Sequence, residues 1–261
     1  MNTPYDVIDQ AIQIGIKKRQ TPYYKLFILG LLAGGYIALG GLLAATLSAG
    51  TITGIGTSNP IIPRLLGAMV FPIGLIFVVL VGAELFTGNT AMLIPAVVKR
   101  KIPIGYLFLN WGFVFVANCI GALLFDYFLA FQTDLLGQDP YTAYIKQVAT
   151  YKTSMPWFVV FFRGIGANWL VCLAVWLALS SKSMIGKLVG LWWPIMAFVA
   201  IGFEHSIANM FFIPTGIMYG ADVSWTALLW NNLTPAVLGN ILGGAVFVGC
   251  TYSYLYTTKK P

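Results

Sequence analysis

The sequence predicts an all-α membrane protein: six transmembrane helices in two inverted three-helix repeats, with helices 2 and 5 interrupted. Three observations carry this. Of the 261 residues, 59% are hydrophobic, 15% aromatic and only 9% charged, whereas a soluble domain needs roughly 25% charged residues to coat its surface. The apolar residues fall in six segments of membrane-spanning length. Finally, one polar frame occurs twice, in the second and fifth segments.

Residues 1–24 carry Asp6, Asp9, Lys17, Lys18 and Arg19, so they are not expected to be a signal peptide. Tyr5, Ile8, Ile12 and Ile16 recur at helical spacing, so this stretch is expected to be an amphipathic helix lying on the membrane surface. A bilayer core of about 30 Å takes roughly 20 helical residues, and six apolar segments follow, near 26–49, 65–98, 102–131, 156–181, 188–217 and 226–256. The first lies in a run of 38 residues, Leu26 to Pro63, without an acid or base. The second and fifth, Leu65–Val98 and Leu188–Ala221, are each 34 residues long. A continuous helix of that length would reach about 51 Å, too long for one span and too short for two, so each is expected to be broken.

Both long segments carry Gly-x-Glu followed by Asn five residues later: Gly82, Glu84 and Asn89 in one, Gly202, Glu204 and Asn209 in the other. Asn110, Asn118 and Gly121 of the third segment share their spacing with Asn232, Asn240 and Gly243 of the sixth. The ordered echoes argue for a duplicated three-helix unit, 25–131 and 156–257, separated by a loop at 132–155 and followed by a tail at 258–261. Three spans per unit is odd, so the copies must be inverted. Inverted repeats with broken helices build a site near the bilayer midplane, and irregular backbone at that depth must line protein or a water-filled cavity.

Orientation follows from the bases. With the amino terminus cytoplasmic, Lys17, Lys18, Arg19, Lys25, Lys99, Arg100, Lys101, Lys182, Lys187, Lys259 and Lys260 lie inside, against Arg64, Lys146 and Lys152 outside. This bias puts both termini in the cytoplasm, with the 132–155 loop external. The net charge of +7 is then a consequence of topology and requires no nucleic-acid partner. Cys119, Cys172 and Cys250 lie far apart in apolar runs without metal-ligand spacing, so neither a disulfide framework, a metal site nor a cofactor is expected.

Ionisable groups within the segments are costly and therefore candidates for function. Glu84 and Glu204 are expected to accept backbone N–H groups and hold the breaks in shape. His205, the single histidine, stands where the first repeat has Leu85; with an ordinary pKa of about 6.5 it is the natural proton-exchanging group. Thr87 supplies a hydroxyl at the other break, with capping of the following half-helix as its plain structural role. Asp126 and Arg163, near span ends, are expected to snorkel. Lys152 fits either an anion attractor at the pore mouth or an ordinary interfacial lysine.

At these residues the sequence resembles the formate/nitrite transporter family. Val79-Leu-Val-Gly-Ala-Glu-Leu-Phe-Thr-Gly88, Gly164-Ile-Gly-Ala-Asn168-Trp-Leu-Val-Cys172 and Glu204-His205-Ser-Ile-Ala-Asn209-Met-Phe are similar to three ordered family motifs. The resemblance implies an aquaporin-like protomer in a homopentamer, with one pore per protomer. It implies that His205 and Thr87 face each other at the pore centre with Asn168 and Asn209 nearby. Phe71, Leu75 and Phe198, with Leu85 and Phe86 at the break, become constriction residues, Lys152 an outer-vestibule lysine, and Lys18 its counterpart near the first helix. The paired Asn-Pro-Ala boxes of aquaporins are missing, Asn59-Pro60-Ile61 being the sole Asn-Pro.

The function implied is passage of a small monovalent weak-acid anion, formate first and nitrite, hydrosulfide or lactate next, moved as the acid or with a proton under control of His205. A pure anion channel, with protonated His205 only stabilising the ion, is the competing reading. The partners expected are the anion, protons, membrane lipid of the cell membrane and further copies of the chain. Without HExxH or GxSxG motifs, an enzyme is not expected.

Overall fold

A computed structural model describes residues 1–50 and 61–257. Asn59 and Pro60, and the 258–261 tail with Lys259 and Lys260, lie outside the described residues. Ten helices are described: α1 (Pro4–Gln20), α2 (Tyr23–Ala49), α3 (Ile61–Gly82), α4 (Phe86–Val98), α5 (Ile104–Phe131), α6 (Tyr141–Ser154), α7 (Trp157–Ser180), α8 (Met184–Ile201), α9 (Ser206–Met218) and α10 (Trp225–Tyr256). Six of them, α2, α3, α5, α7, α8 and α10, are long and apolar enough to cross a membrane. Large apolar side chains such as Phe128, Phe162, Trp193 and Trp230 point outward from them, as a lipid-facing surface requires.

The second and fifth apolar stretches each divide into two helices. α3 stops at Gly82 and α4 starts at Phe86; α8 stops at Ile201 and α9 starts at Ser206. Gly82 and Gly202 adopt left-handed φ values of 93° and 88°, which a side chain would strain. α3 is irregular before its break, with a turn at Phe71 and Pro72 and a widened π-type turn over Val78–Gly82. Such turns recur at functional sites.

α2 packs on α5, and α7 packs on α10. Gly121 lies against the Leu31 carbonyl and Gly243 against the Ile165 carbonyl, leaving no room for a Cβ at either glycine. The same close approach therefore occurs in both halves.

Three expectations are corrected. α1 does not lay its apolar face on lipid: Val7, Ile8, Ala11 and Ile12 are buried against residues of α4, α7 and α10, including Met92, Trp176 and Val248. The short helix α4 leaves an apolar flank that α1 fills, and Asn2 ties the chain start to the Leu179 carbonyl at 2.8 Å and the Ser180 carbonyl at 2.7 Å. The 132–155 segment is no plain loop, because α6 occupies its second half and buries Ile145, Ala149 and Thr153, one helical turn apart, on α9. Asp126 does not snorkel but is wholly buried, since its turn of α5 faces α9.

Candidate functional site

Each break is shaped by an asparagine from the last span of its own half. Asn118 of α5 accepts from the Phe86 N–H at 2.8 Å and donates to the carbonyls of Gly30 and Glu84, both at 2.8 Å. Asn240 of α10 accepts from the Ser206 N–H at 2.9 Å and donates to Gly164 at 2.8 Å and Glu204 at 3.0 Å. The Glu84 N–H reaches the Leu29 carbonyl at 3.2 Å, as the Glu204 N–H reaches that of Arg163 at 3.3 Å. One primary amide thus satisfies three backbone groups that a helix would otherwise pair.

The two carboxylates do something other than expected: among the described residues their partners are side chains, not backbone N–H groups. Glu84 pairs with Lys18 and accepts from Asn89 Nδ2 at 3.0 Å, whose amide also donates to Asn110 at 3.0 Å. Glu204 pairs with Lys152 at 2.9 Å and accepts from Asn209 at 2.7 Å and Asn232 at 3.1 Å. The backbone amides are already taken by Asn118 and Asn240, which leaves the carboxylates to side chains. Lys152 also lies 5.7 Å over the Phe212 ring, so its ammonium is bound and compensated. Lys18 to Lys152 spans 134 residues, as does Gly30 to Gly164. α1 and α6, which carry these lysines, therefore correspond to each other in the duplication.

Three spaces that share lining residues lie between the two lysine–glutamate pairs. A cavity of about 470 Å³ is lined by Lys152, Glu204, Asn209, Phe71 and Phe198 among others. A second, of about 400 Å³, is lined by Lys18, Glu84, Asn89, Leu75 and Leu85 among others. Between them lies a chamber of about 10 Å³ walled by Ile37, Phe71, Leu75, Leu85, Val171, Ile195, Phe198 and His205. Phe71, Phe198 and His205 border both the chamber and the Lys152 cavity, the two phenylalanine rings meeting edge to face with centroids 5.8 Å apart. Leu75 and Leu85 border it and the Lys18 cavity.

His205 is the polar side chain of that chamber. It is the N-cap of α9: its Nδ1 accepts the Ala208 N–H at 3.1 Å. Nε2 must then carry the proton in the neutral ring, and it donates to Thr87 Oγ1 at 3.0 Å. His205 caps its half-helix, whereas Thr87 does not cap α4, whose N-cap Leu85 has no side-chain bond. The imidazole also stacks on Phe198, centroids 5.8 Å apart.

Three of the expected pore residues, Phe86, Asn168 and Thr87, line none of the three spaces. The Phe86 ring packs on Phe115 at 5.2 Å. Residues 83–85 are extended, where successive side chains alternate, so Leu85 facing the chamber turns Phe86 away. Asn168 lies behind the lining, donating to the Asn240 carbonyl at 2.5 Å, Thr90 Oγ1 at 2.8 Å and the Thr87 carbonyl at 3.2 Å. Thr87 is likewise fully buried behind the His205 ring. The lining roles of Ile37, Val171 and Ile195, and the clamping by Asn118 and Asn240, are additions of the structure. An asparagine in an apolar span is itself a signal, since its amide must be bonded there.

The formate/nitrite transporter family profile matches residues 5–254. The chain belongs to the formate/nitrite transporter family. It is 44% identical over 268 residues to a protein of Methanothermobacter thermautotrophicus named a probable formate transporter, covering 97% of each chain. Among solved structures it is similar to an FNT family ion channel, with a TM-score of 0.87 and 30% identity over 97% of this chain and 99% of that one. It is also similar to a pentameric formate channel with formate bound, with a TM-score of 0.79 and 31% identity, covering 90% and 98% respectively. As a member of this family the chain is a multi-pass membrane transporter or channel.

Proposed function

We propose that the chain conducts formate or a similarly small monovalent weak-acid anion by way of these three spaces, with both termini cytoplasmic and the Lys152 cavity outside. The supporting observation is the double apolar constriction around one polar side chain. An ion forced between Phe71 and Phe198 loses its water, and burying an unpaired carboxylate in apolar surroundings is prohibitive, whereas the neutral acid loses far less. The substrate therefore crosses as the acid or together with a proton. His205, whose ring alone interrupts the apolar wall, governs that passage, and Thr87 and the Ala208 N–H hold it in one tautomer.

The broken pairs α3–α4 and α8–α9 act as discontinuous spans whose half-helices meet at the chamber, in two inverted units around 25–131 and 156–257. Glu84 and Glu204 fix the breaks to α1 and α6 through Lys18 and Lys152, with Asn89 bridging to α5 and Asn209 to α10. The pentameric formate channel among the similar structures supports a homopentamer. Proteoliposome uptake of formate, nitrite, lactate and hydrosulfide at two external pH values tests the reading. Uptake is expected to rise as the external side is acidified. Flux that follows membrane potential and ignores an imposed proton gradient would instead establish a pure anion channel.

A further inference from the structure

The Lys152 cavity contains two more cations, and neither has a carboxylate partner among the described residues: Arg64 and Arg163 both line it. Arg64 is exposed and Arg163 half-buried. Arg64 Nη2 donates to the Ile201 carbonyl at 2.5 Å, and Arg163 Nη1 donates to the Tyr151 hydroxyl at 3.1 Å and to Met155 sulfur at 3.0 Å. These neutral acceptors orient each guanidinium without cancelling its charge. A guanidinium has five N–H donors in a planar fork, so donors remain on both for a bidentate carboxylate.

The charge is distributed unequally. Lys152, Arg64 and Arg163 face a single acid, Glu204, in one cavity, while Lys17 and Lys18 face Glu84 in the other. The first cavity is left with two positive charges and the second with one. Duplication alone does not account for this: the Arg163 carbonyl receives the Glu204 N–H as that of Leu29 receives the Glu84 N–H, so a leucine stands in the other half at the place of this arginine. We propose that Arg64 and Arg163, and not the compensated Lys152, form the anion-capture site on this side, concentrating a small carboxylate ahead of the Phe71 and Phe198 constriction. The inference rests on the transport reading above.

The test measures formate uptake in uniformly oriented proteoliposomes, from each side and at several ionic strengths. In the wild type, KM is expected to rise more steeply with salt when formate is applied on the Lys152 side than on the Lys18 side, because only unscreened charge concentrates the anion. Arg64→Gln and Arg163→Gln are each expected to raise KM on the Lys152 side about threefold, the Coulomb effect of one charge roughly 6 Å away in water, and to weaken its salt dependence. Arg64→Lys is expected to keep the salt dependence while losing the fork. Equal salt dependence from both sides in the wild type would overturn the inference without any variant, as would glutamine variants of unchanged KM. In either case the transport reading would stand on the uptake itself, whereas a wild type without uptake would end both.

Discussion

Replacing Asn240 with alanine is the sharpest test of how the His205 break is held. The change removes an acceptor from the Ser206 N–H and donors to the Gly164 and Glu204 carbonyls, at 2.8–3.0 Å, at a fully buried position. Leaving one buried polar group unsatisfied costs roughly 1–3 kcal/mol. Three such groups, with partial relaxation, give about 3–5 kcal/mol, equivalent to a drop of roughly 10 °C in the apparent midpoint at 2–4 °C per kcal/mol. The assay is thermal loss of the monodisperse oligomer in detergent, followed by size-exclusion chromatography. Asn118→Ala should behave alike, since its three bonds match in partners and length. Asn231→Ala, which removes one 3.3 Å bond to the Thr153 carbonyl, should cost below about 1 kcal/mol. Were Asn240→Ala no less stable than Asn231→Ala, the break would hold its shape without the amide, and the clamping argument would be refuted.

His205→Asn should assemble, because an amide can still cap α9 and reach Thr87, yet its formate uptake should be lost or show a flattened pH response; an unchanged profile would make His205 structural. Phe198→Ala and Leu75→Ala should admit larger monocarboxylates, read as lactate or longer-chain uptake, whereas Phe86→Leu should keep the size cutoff, since that ring packs on Phe115. Glu204→Gln leaves the Lys152 ammonium, only 15% exposed, without its carboxylate, and should lower stability by about 3–5 kcal/mol in the same chromatographic assay. A cysteine at Gln138 should react with an impermeant reagent from outside only, and labelling confined to the cytoplasmic side would reverse the assigned orientation.

The six apolar segments and the paired polar frames were legible because length, hydropathy and spacing are local properties of the chain. Side-chain direction at a break was not. The helical period ends at Gly82, the extended residues reset it, and Leu85 and Phe86 part company in a way that no periodicity continuing from α3 foretells. Asn168 was flagged within a motif, but whether it faces a cavity or the helix behind is decided by α10 packing on α7. α6 escaped notice because Ile145, Ala149 and Thr153 form a narrow stripe with only one large apolar residue, and its correspondence to α1 is visible only through the lysine each presents to a glutamate. The Asn110, Asn118, Asn232 and Asn240 spacing was legible as repetition, while their work depends on carbonyls brought close from other helices.

The clamping amides also bear on the order of synthesis. The loop at 83–85 takes its shape from Asn118, more than thirty residues downstream, and the loop at 203–205 from Asn240, about as far beyond it. A nascent chain that has delivered α3 and α4 to the bilayer still carries freed carbonyls with nothing to receive them, until α5 arrives. The second loop waits likewise on α10, which carries Asn240. Neither loop can take its shape early, so a chain lacking α10 would carry His205 on a segment whose freed backbone groups have no amide to receive them.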